Sequence, residues 1–220
     1  MSANAATATA TERAYAYTKR RVLDSTYPGG ELITEGSVAG DLGLSRTPVR
    51  EAFLRLEGEG LLRLFPKRGA LVVPVSAQEV EAVMETRHLV ERFALDRVLD
   101  TGAEVPGELE AAIERQEARA VEGDAEGFVE ADRDFHTVLV SAAGNPIVTE
   151  LYDSLRDRQQ RMGLAALARD GRRTSQILDE HRALAAAIRA RDLDLARKLL
   201  DEHLLGTLAL LRRGPSRQVV

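Results

Sequence analysis

The chain contains no cysteine and no tryptophan, and only 4% of its 220 residues are aromatic. Without cysteine it forms no disulfide and offers no thiolate to a metal ion. No apolar stretch approaches the roughly 20 residues that cross a bilayer as a helix. The first eleven residues are rich in Ala and Thr and lack the basic start and apolar core of a signal peptide. We therefore expect a cytoplasmic protein with no membrane partner.

Basic charge is also scarce, since the formal net charge is −5. Residues 1–75 contain 10 Lys/Arg against 8 Asp/Glu, whereas residues 76–220 contain 20 against 27. Any affinity for nucleic acid is therefore expected in the first third of the chain. A hydrophobic content of 44% allows each part to bury a core of its own.

Residues 45–51 predict the start of a helix that presents two arginines to solvent. Arg46 and Arg50 are four residues apart and share one helical face. Thr47 and Pro48 suit the N-cap and first helical position. The opposite face repeats apolar residues at helical spacing, namely Val49, Phe53 and Leu56. A helix buried on one side, with guanidinium groups at its exposed N-terminal end, is suited to reading a DNA major groove.

The flanking residues complete a winged helix-turn-helix pattern. A short helix precedes the recognition helix and breaks at Gly43, as a helix-turn-helix requires. Downstream, residues 62–64 and 71–73 predict two short strands, and the tip between them contains Lys67 and Arg68. A generic helical hairpin would account for the two helices, but the basic wing favours DNA binding.

The stretch from Tyr15 to Val75 resembles the winged-helix domain of GntR-family transcription regulators. The resemblance rests on Pro-Gly-Gly-Glu-Leu at 28–32, Leu-Ser-Arg-Thr-Pro-Val-Arg-Glu-Ala at 44–52 and Glu-Gly-Leu at 59–61. It implies that DNA is contacted from the recognition helix and from a wing glycine, by Arg46, Thr47, Arg50 and Gly69. Some members carry a further DNA-contacting arginine where this chain has Gly36, so that contact is expected to be absent.

From Ser76 onward the sequence shows helical periodicity and no strand signal. Ser76 to Glu79 forms a capping box at the start of the first helix. Six amphipathic helices are predicted, near residues 77–99, 106–122, 125–142, 146–170, 175–191 and 193–213. The predicted fold class is mostly α, with an N-terminal winged helix-turn-helix and a C-terminal all-α six-helix bundle. The predicted boundaries are 1–11 for a disordered tail, 12–75 and 76–213 for the domains, and 214–220 for a second tail.

Three of the predicted helices place a histidine on their apolar stripe: His136, His181 and His203. Asp132 lies one turn before His136 on the same face. Buried polar groups are costly unless paired, and one divalent metal ion would satisfy all four side chains together. Hydrogen-bonded core histidines without a metal are the alternative interpretation.

Residues 78–212 resemble the FCD domain, the C-terminal effector domain of the FadR subfamily. The resemblance rests on Asp-Arg-Asp-Phe-His at 132–136, the Gly-Asn-Pro that follows, and one histidine in each of two later helices. It implies one divalent ion (zinc, nickel or manganese) held by Asp132, His136, His181 and His203, with a small organic acid beside it. Asp134 is expected to point elsewhere. Arg87 either forms an ion pair with Glu91 or grips an effector carboxylate.

Together these features predict a ligand-responsive transcription regulator, a repressor that binds operator DNA as a homodimer and senses a small organic acid. Two alternatives remain open. One is a metal-free regulator whose histidines line a pocket for a larger apolar effector. The other is a metal-dependent hydrolase, although neither Glu130 nor Glu150 is placed to act as its acid or base. His88 has no assigned role, and the run Arg169 to Arg173 is expected to be a solvated turn.

Overall fold

The computed structural model describes residues 8–212, which divide into two compact units between Val75 and Ser76. The N-terminal unit contains three helices and a three-stranded antiparallel sheet of order β1-β3-β2. Its elements are α1 (Ala10–Leu23), β1 (Leu32–Ile33), α2 (Glu35–Leu42), α3 (Arg46–Gly58), β2 (Leu62–Phe65) and β3 (Gly69–Val72). This is the predicted winged helix-turn-helix.

Helix α1 begins earlier than the predicted tail allowed. The Thr9 hydroxyl accepts from the backbone N–H of Glu12 (3.1 Å), and the Glu12 carboxylate accepts from the backbone N–H of Thr9 (2.7 Å). This reciprocal capping box fixes the start of the helix at Ala10. Residues 9–11 therefore belong to the N-terminal unit, and residues 1–7 lie outside the described part, as do residues 213–220.

The recognition helix α3 also begins before the predicted position. Ser45 is its N-cap, and Arg46 is its first residue. The assignment of Thr47 as N-cap was therefore wrong, and Pro48 is the third helical residue. Proline is tolerated there because the first four N–H groups of a helix have no partner within it. Arg46 and Arg50 remain on one face despite the shift.

The tip of the wing depends on two residues with positive φ, Lys67 (61°) and Gly69 (117°). Glycine adopts this conformation without the steric cost that other residues incur. A Cβ added at Gly69 would also collide with the carbonyl oxygen of Ile33 in β1. Gly69 is therefore required by the backbone of the wing, independently of any contact with DNA.

The second unit, called the bundle here, has seven helices within residues 76–212, one more than the six predicted. They are α4 (Ala77–Thr101), α5 (Pro106–Glu122), α6 (Ala125–Ala142), α7 (Pro146–Asp153), α8 (Arg156–Arg169), α9 (Arg173–Arg189) and α10 (Leu193–Arg212). Only half of the predicted capping box forms at α4: the Ser76 hydroxyl accepts from the backbone N–H of Glu79 (3.0 Å), but no return bond from the Glu79 side chain is found in residues 8–212. The Glu79 side chain pairs with Arg158 (3.2 Å).

The additional helix arises because the segment predicted as one helix over 146–170 is interrupted after Asp153. The Ser154 hydroxyl donates to the carbonyl oxygen of Leu151 (2.6 Å). Such a local bond competes with continuation of the helix. Neither glycine nor proline marks the break, so the sequence pattern did not reveal it.

Each unit has its own apolar core. Phe53, Leu56 and Leu62 are fully buried in the N-terminal unit, and Phe128 and Phe135 are fully buried in the bundle. No helix among residues 8–212 is long and apolar enough to cross a membrane.

The separate cores allow a test of the N-terminal unit with two leucines of α3. Leu56 is fully buried, whereas Leu54 on the same helix is 53% exposed. We expect Leu56→Ala to lower the free energy of unfolding of this unit by about 2–5 kcal/mol, because it removes packed methyl groups and leaves a cavity. Leu54→Ala should change it by less than about 0.5 kcal/mol.

Urea denaturation followed by tyrosine fluorescence measures this difference, since three of the four tyrosines lie in the N-terminal unit. Equal destabilisation by the two substitutions would contradict the packing of α3.

Candidate nucleic-acid interface and metal centre

The N-terminal unit forms an open basic groove of about 630 Å³ between the recognition helix and the wing. Helix α3 contributes Arg46 and Arg50, and the wing contributes Lys67, Arg68 and Gly69. These four cationic side chains are exposed. The structure thus brings five of the six residues predicted to contact DNA to one surface. Thr47, the sixth, is exposed at the start of the same helix.

Gly36 in α2 faces Arg46. A Cβ at position 36 would lie 3.5–3.7 Å from the guanidinium group of Arg46, which is ordinary van der Waals distance. A small side chain at position 36 would therefore contact Arg46 without displacing it. The arginine that some relatives carry at this point is absent, and Arg46 occupies the neighbouring space.

In the bundle, Asp132, His136, His181 and His203 converge from α6, α9 and α10. Each offers one candidate ligand atom, and these atoms all lie within 4.8 Å of one another. The three imidazole centroids are 4.9–5.0 Å apart, which makes a nearly equilateral triangle. First-row metal ions bind nitrogen and carboxylate ligands at about 2.1 Å. The four predicted ligands are therefore gathered at a spacing close to that of a coordination shell.

Contacts at Nδ1 orient the three histidine rings: His181 and His203 make hydrogen bonds there, whereas Nδ1 of His136 lies near a carboxylate without forming a hydrogen bond within residues 8–212. The Nδ1 of His181 donates to Oε1 of Gln116 (2.7 Å), and the Nδ1 of His203 donates to Oε2 of Glu180 (2.7 Å). The Nδ1 of His136 lies 2.8 Å from Oε2 of Glu91. With Nδ1 facing these partners, each ring leaves Nε2 as the atom available to a metal.

The Nε2 atoms of His136 and His181 are buried and have no hydrogen-bond partner among residues 8–212. Oδ1 of Asp132 lies 3.6 Å from Nε2 of His181, which is beyond hydrogen-bond range. Unpaired buried nitrogen atoms are destabilising, and coordination would satisfy both of them. Three imidazoles and one carboxylate thus fit a divalent first-row metal ion.

Burial favours the neutral form of His181 and His203. Burial lowers the pKa of His181 well below its usual value, and the nearby His203 and His136 rings lower it further. Burial also lowers the pKa of His203, although its bond to Glu180 acts in the opposite direction. Both rings are therefore neutral at pH 7, as metal binding requires.

Gln116, which the sequence analysis missed, connects two ligands. Its Oε1 accepts from His181, and its Nε2 donates to Oδ1 of Asp132 at 3.4 Å. Phe135 stacks on His181 with centroids 4.0 Å apart and an interplanar angle of 8°. The sequence signal for Gln116 was its place on the apolar face of α5 with Leu109, Ala112 and Ile113.

Arg87 and Glu91 form the buried ion pair that was one of the two predicted interpretations, with 2.7 Å between Nε and Oε1. Tyr152 also donates to Oε1 of Glu91 (2.8 Å). Burial alone would raise the pKa of Glu91, but the charges of Arg87 and His136 outweigh it and hold the pKa below its ordinary range. Glu91 is thus an ionised link between His136 and Arg87.

A cavity of about 40 Å³ adjoins the cluster, enclosed by α4, α6, α7, α8, α9 and α10. Its polar lining includes Arg87, Asp132, Gln159, Arg173 and His203. The prediction of a solvated turn at 169–173 was wrong for Arg173, which is buried and donates to Glu180 and Thr207 (2.8 Å each). Arginine at a helix start beside a glycine resembles a surface turn, so the sequence carried no signal of its burial.

Other candidate residues lie away from the cluster. Asp134 is half-exposed with Arg115 3.8 Å away, as expected of a residue pointing elsewhere. Glu130 is exposed and pairs with Arg156 (2.7 Å), and Glu150 is exposed. His88 contacts Asp201 of α10 (2.8 Å) and so joins α4 to α10.

Comparison with known proteins assigns a family to each unit. Residues 10–72 match the model of bacterial regulatory proteins of the gntR family, and residues 82–206 match the FCD domain. A regulator of Agrobacterium vitis from the TAR-I ttuE-ttuC' intergenic region is 34% identical over 134 residues, or 59% of this chain and 78% of its own. The gluconate operon transcriptional repressor of Bacillus subtilis is 25% identical over 176 residues, or 78% of this chain and 72% of its own.

The solved structure of a GntR transcriptional regulator from Rhodococcus sp. RHA1 shares the fold. It superposes with a TM-score of 0.77 at 23% identity, covering 94% of this chain and 99% of its own. The family matches cover the recognition helix, the wing and all four clustered ligands. The chain therefore belongs to the GntR family of bacterial transcription regulators and carries a C-terminal FCD domain.

Proposed function

We propose that this regulator is a homodimeric repressor that senses a small organic acid at a divalent metal site in the bundle. The observation that carries the proposal is the convergence of three buried imidazoles and Asp132 beside a cavity that Arg87 lines. A divalent ion would supply an electrophilic position for a carboxylate oxygen. Zinc, nickel and manganese all suit this set of ligands.

Arg87 supports a carboxylate as the effector group. Its Nε is held by Glu91, and in residues 8–212 no other hydrogen bond of Arg87 is found. The guanidinium group therefore keeps donors for the cavity that it lines, and a charge-assisted bond to a carboxylate is among the stronger hydrogen bonds. The sequence analysis gave the ion pair with Glu91 and the contact with an effector carboxylate as alternatives for Arg87. Arg87 can make both, because Glu91 engages only its Nε.

The cavity is too small for the alternative of a larger apolar effector. A volume of about 40 Å³ holds roughly three water-sized groups. The relatives named as repressors favour repression over hydrolysis, and the repressor of Bacillus subtilis is named for a sugar-acid operon.

The response would pass through α4, the first helix after the N-terminal unit. This helix carries Arg87 and Glu91, and it contacts α10 through, among others, His88 and Arg92, which share Asp201. An effector held by Arg87 on α4 and by the ligand cluster on α6, α9 and α10 favours one packing of these helices. Linkage then makes the affinity for DNA depend on the effector.

A second copy of the chain is the proposed occupant of an apolar surface on α4. Leu89 and Phe93 lie one turn apart and are 70% and 42% exposed. Winged helices of this kind read paired half-sites, which requires two joined copies. Burying such a surface against its symmetry mate would remove it from water.

The DNA interface is tested with arginine substitutions of equal charge change. Arg50→Ala should weaken binding by about 1–3 kcal/mol, because it removes a bidentate contact to guanine. Arg63→Ala, on β2 outside the groove, should have little effect. The measurement is fluorescence anisotropy with a duplex selected by the wild-type protein from a random library. Unchanged affinity in Arg50→Ala would remove the recognition-helix assignment.

The metal site is tested with three of the four histidines of the chain. His181→Ala and His203→Ala should lose the metal and melt at lower temperature, because they lose a ligand that stabilises only the folded state. His88→Ala provides the matched control and should retain the metal. Elemental analysis of dialysed protein measures occupancy. Metal-free wild type that still responds to an organic acid would overturn the metal mechanism.

The dimer surface is tested by placing charge on it. The double variant Leu89→Glu/Phe93→Glu should be monomeric by light scattering at micromolar concentration and should bind a full palindrome more weakly. Val121→Glu on α5 is the control, since Val121 is 88% exposed but lies on another helix. A double variant that remains dimeric would assign the interface to another surface.

A further inference from the structure

Gln159 in α8 is a buried amide with no partner. Its side chain lines the cavity, and the residue is 8% exposed. Neither Oε1 nor Nε2 makes a hydrogen bond within the described chain from residue 8 to residue 212. Leaving a buried donor and acceptor unpaired is destabilising. An unpaired amide at a cavity wall therefore points to a ligand group that hydrogen-bonds to both of its polar atoms.

The packing of α8 holds Gln159 against the cavity. Gly163 lies one turn after it on the same face, and a Cβ there would come within 2.7 Å of Cγ1 of Val129 in α6. Helix α8 thus approaches α6 closely at this point. This close approach positions the backbone of α8, and with it Gln159, beside the cavity.

The charges around the cavity restrict the ligand further. Each of its three arginines already has a carboxylate partner: Arg87 with Glu91, Arg133 with Asp153, and Arg173 with Glu180. Asp132 adds one negative charge, a divalent ion adds two positive charges, and metal-bound histidines are neutral. One positive charge is left uncompensated, which matches a monoanion.

We infer that the effector is a short hydroxy monocarboxylate and that Gln159 recognises its hydroxyl group. The inference rests on the proposed function, which places the carboxylate at the metal and Arg87. A hydroxyl both donates and accepts, so it satisfies Oε1 and Nε2 of Gln159 together. A second carboxylate would satisfy Nε2 only and would bring negative charge against Oε1.

The size of the cavity limits the acid to a short one. At 10–15 Å³ per water-sized group, about 40 Å³ holds roughly three to four non-hydrogen atoms, which limits the acid to two or three carbon atoms with its carboxylate oxygens at the metal and Arg87. The apolar part of the wall, which includes Phe128 and Met162, suits its carbon chain.

Isothermal titration of the metal-loaded full chain with three probes tests the inference: sodium D,L-lactate, propionate and malonate. Wild type should bind lactate at least about tenfold more tightly than the other two, because only lactate completes the Gln159 amide without excess charge. Gln159→Leu should bring lactate within about threefold of propionate while the metal content stays unchanged. Gln160→Leu, at the neighbouring position, should keep the wild-type preference.

Thermal melting without ligand separates recognition from a structural role. Gln159→Leu should melt no lower than wild type, since it removes an unsatisfied amide, whereas a structural glutamine would lower the melting temperature on replacement. Equal binding of the three acids to metal-loaded wild type, or a preference retained by Gln159→Leu, would overturn this inference alone. If wild type held no metal, or if it bound none of the three acids, the proposed function would be overturned as well.

Discussion

Three imidazole rings buried in the apolar core of the bundle are the constraint on which its site depends. Each ring has two nitrogen atoms, and a buried nitrogen requires a partner. Gln116, Glu91 and Glu180 occupy the Nδ1 side of the three rings. One candidate ligand atom from each ring and one from Asp132 lie within 4.8 Å of one another, and a shared cation would satisfy them together.

The same constraint explains why Glu91 is charged in a fully buried position. Its carboxylate lies between His136 and Arg87 and accepts from Tyr152. A lone buried carboxylate would be strongly disfavoured, whereas one with a cation and two further polar contacts is tolerated. Glu91 in this way connects the four-residue cluster to Arg87. Both Arg87 and Glu91 lie on α4, so α4 is in contact with the cavity and with the cluster.

At two positions in this chain the residue or its backbone conformation is locally unfavourable. Gln159 leaves an amide unpaired, and Gly69 holds a conformation that other residues adopt at a cost. Departures of this kind concentrate at functional sites in natural proteins. In this chain they occur in the cavity beside the four candidate metal ligands and in the wing beside the basic groove.

The sequence by itself determined the two-part organisation, the recognition helix and the four clustered ligands. Those features depend on periodicity and spacing along single helices: Arg46 and Arg50 four apart, Asp132 and His136 four apart, and histidines on apolar stripes. The tertiary structure decided what depends on contacts between helices. It placed Gln116 between two ligands, interrupted the segment at Ser154, and buried Arg173 and Gln159. Polar residues at helix ends and on mixed faces look like surface residues in a one-dimensional pattern, because their burial is set by packing between helices distant in sequence.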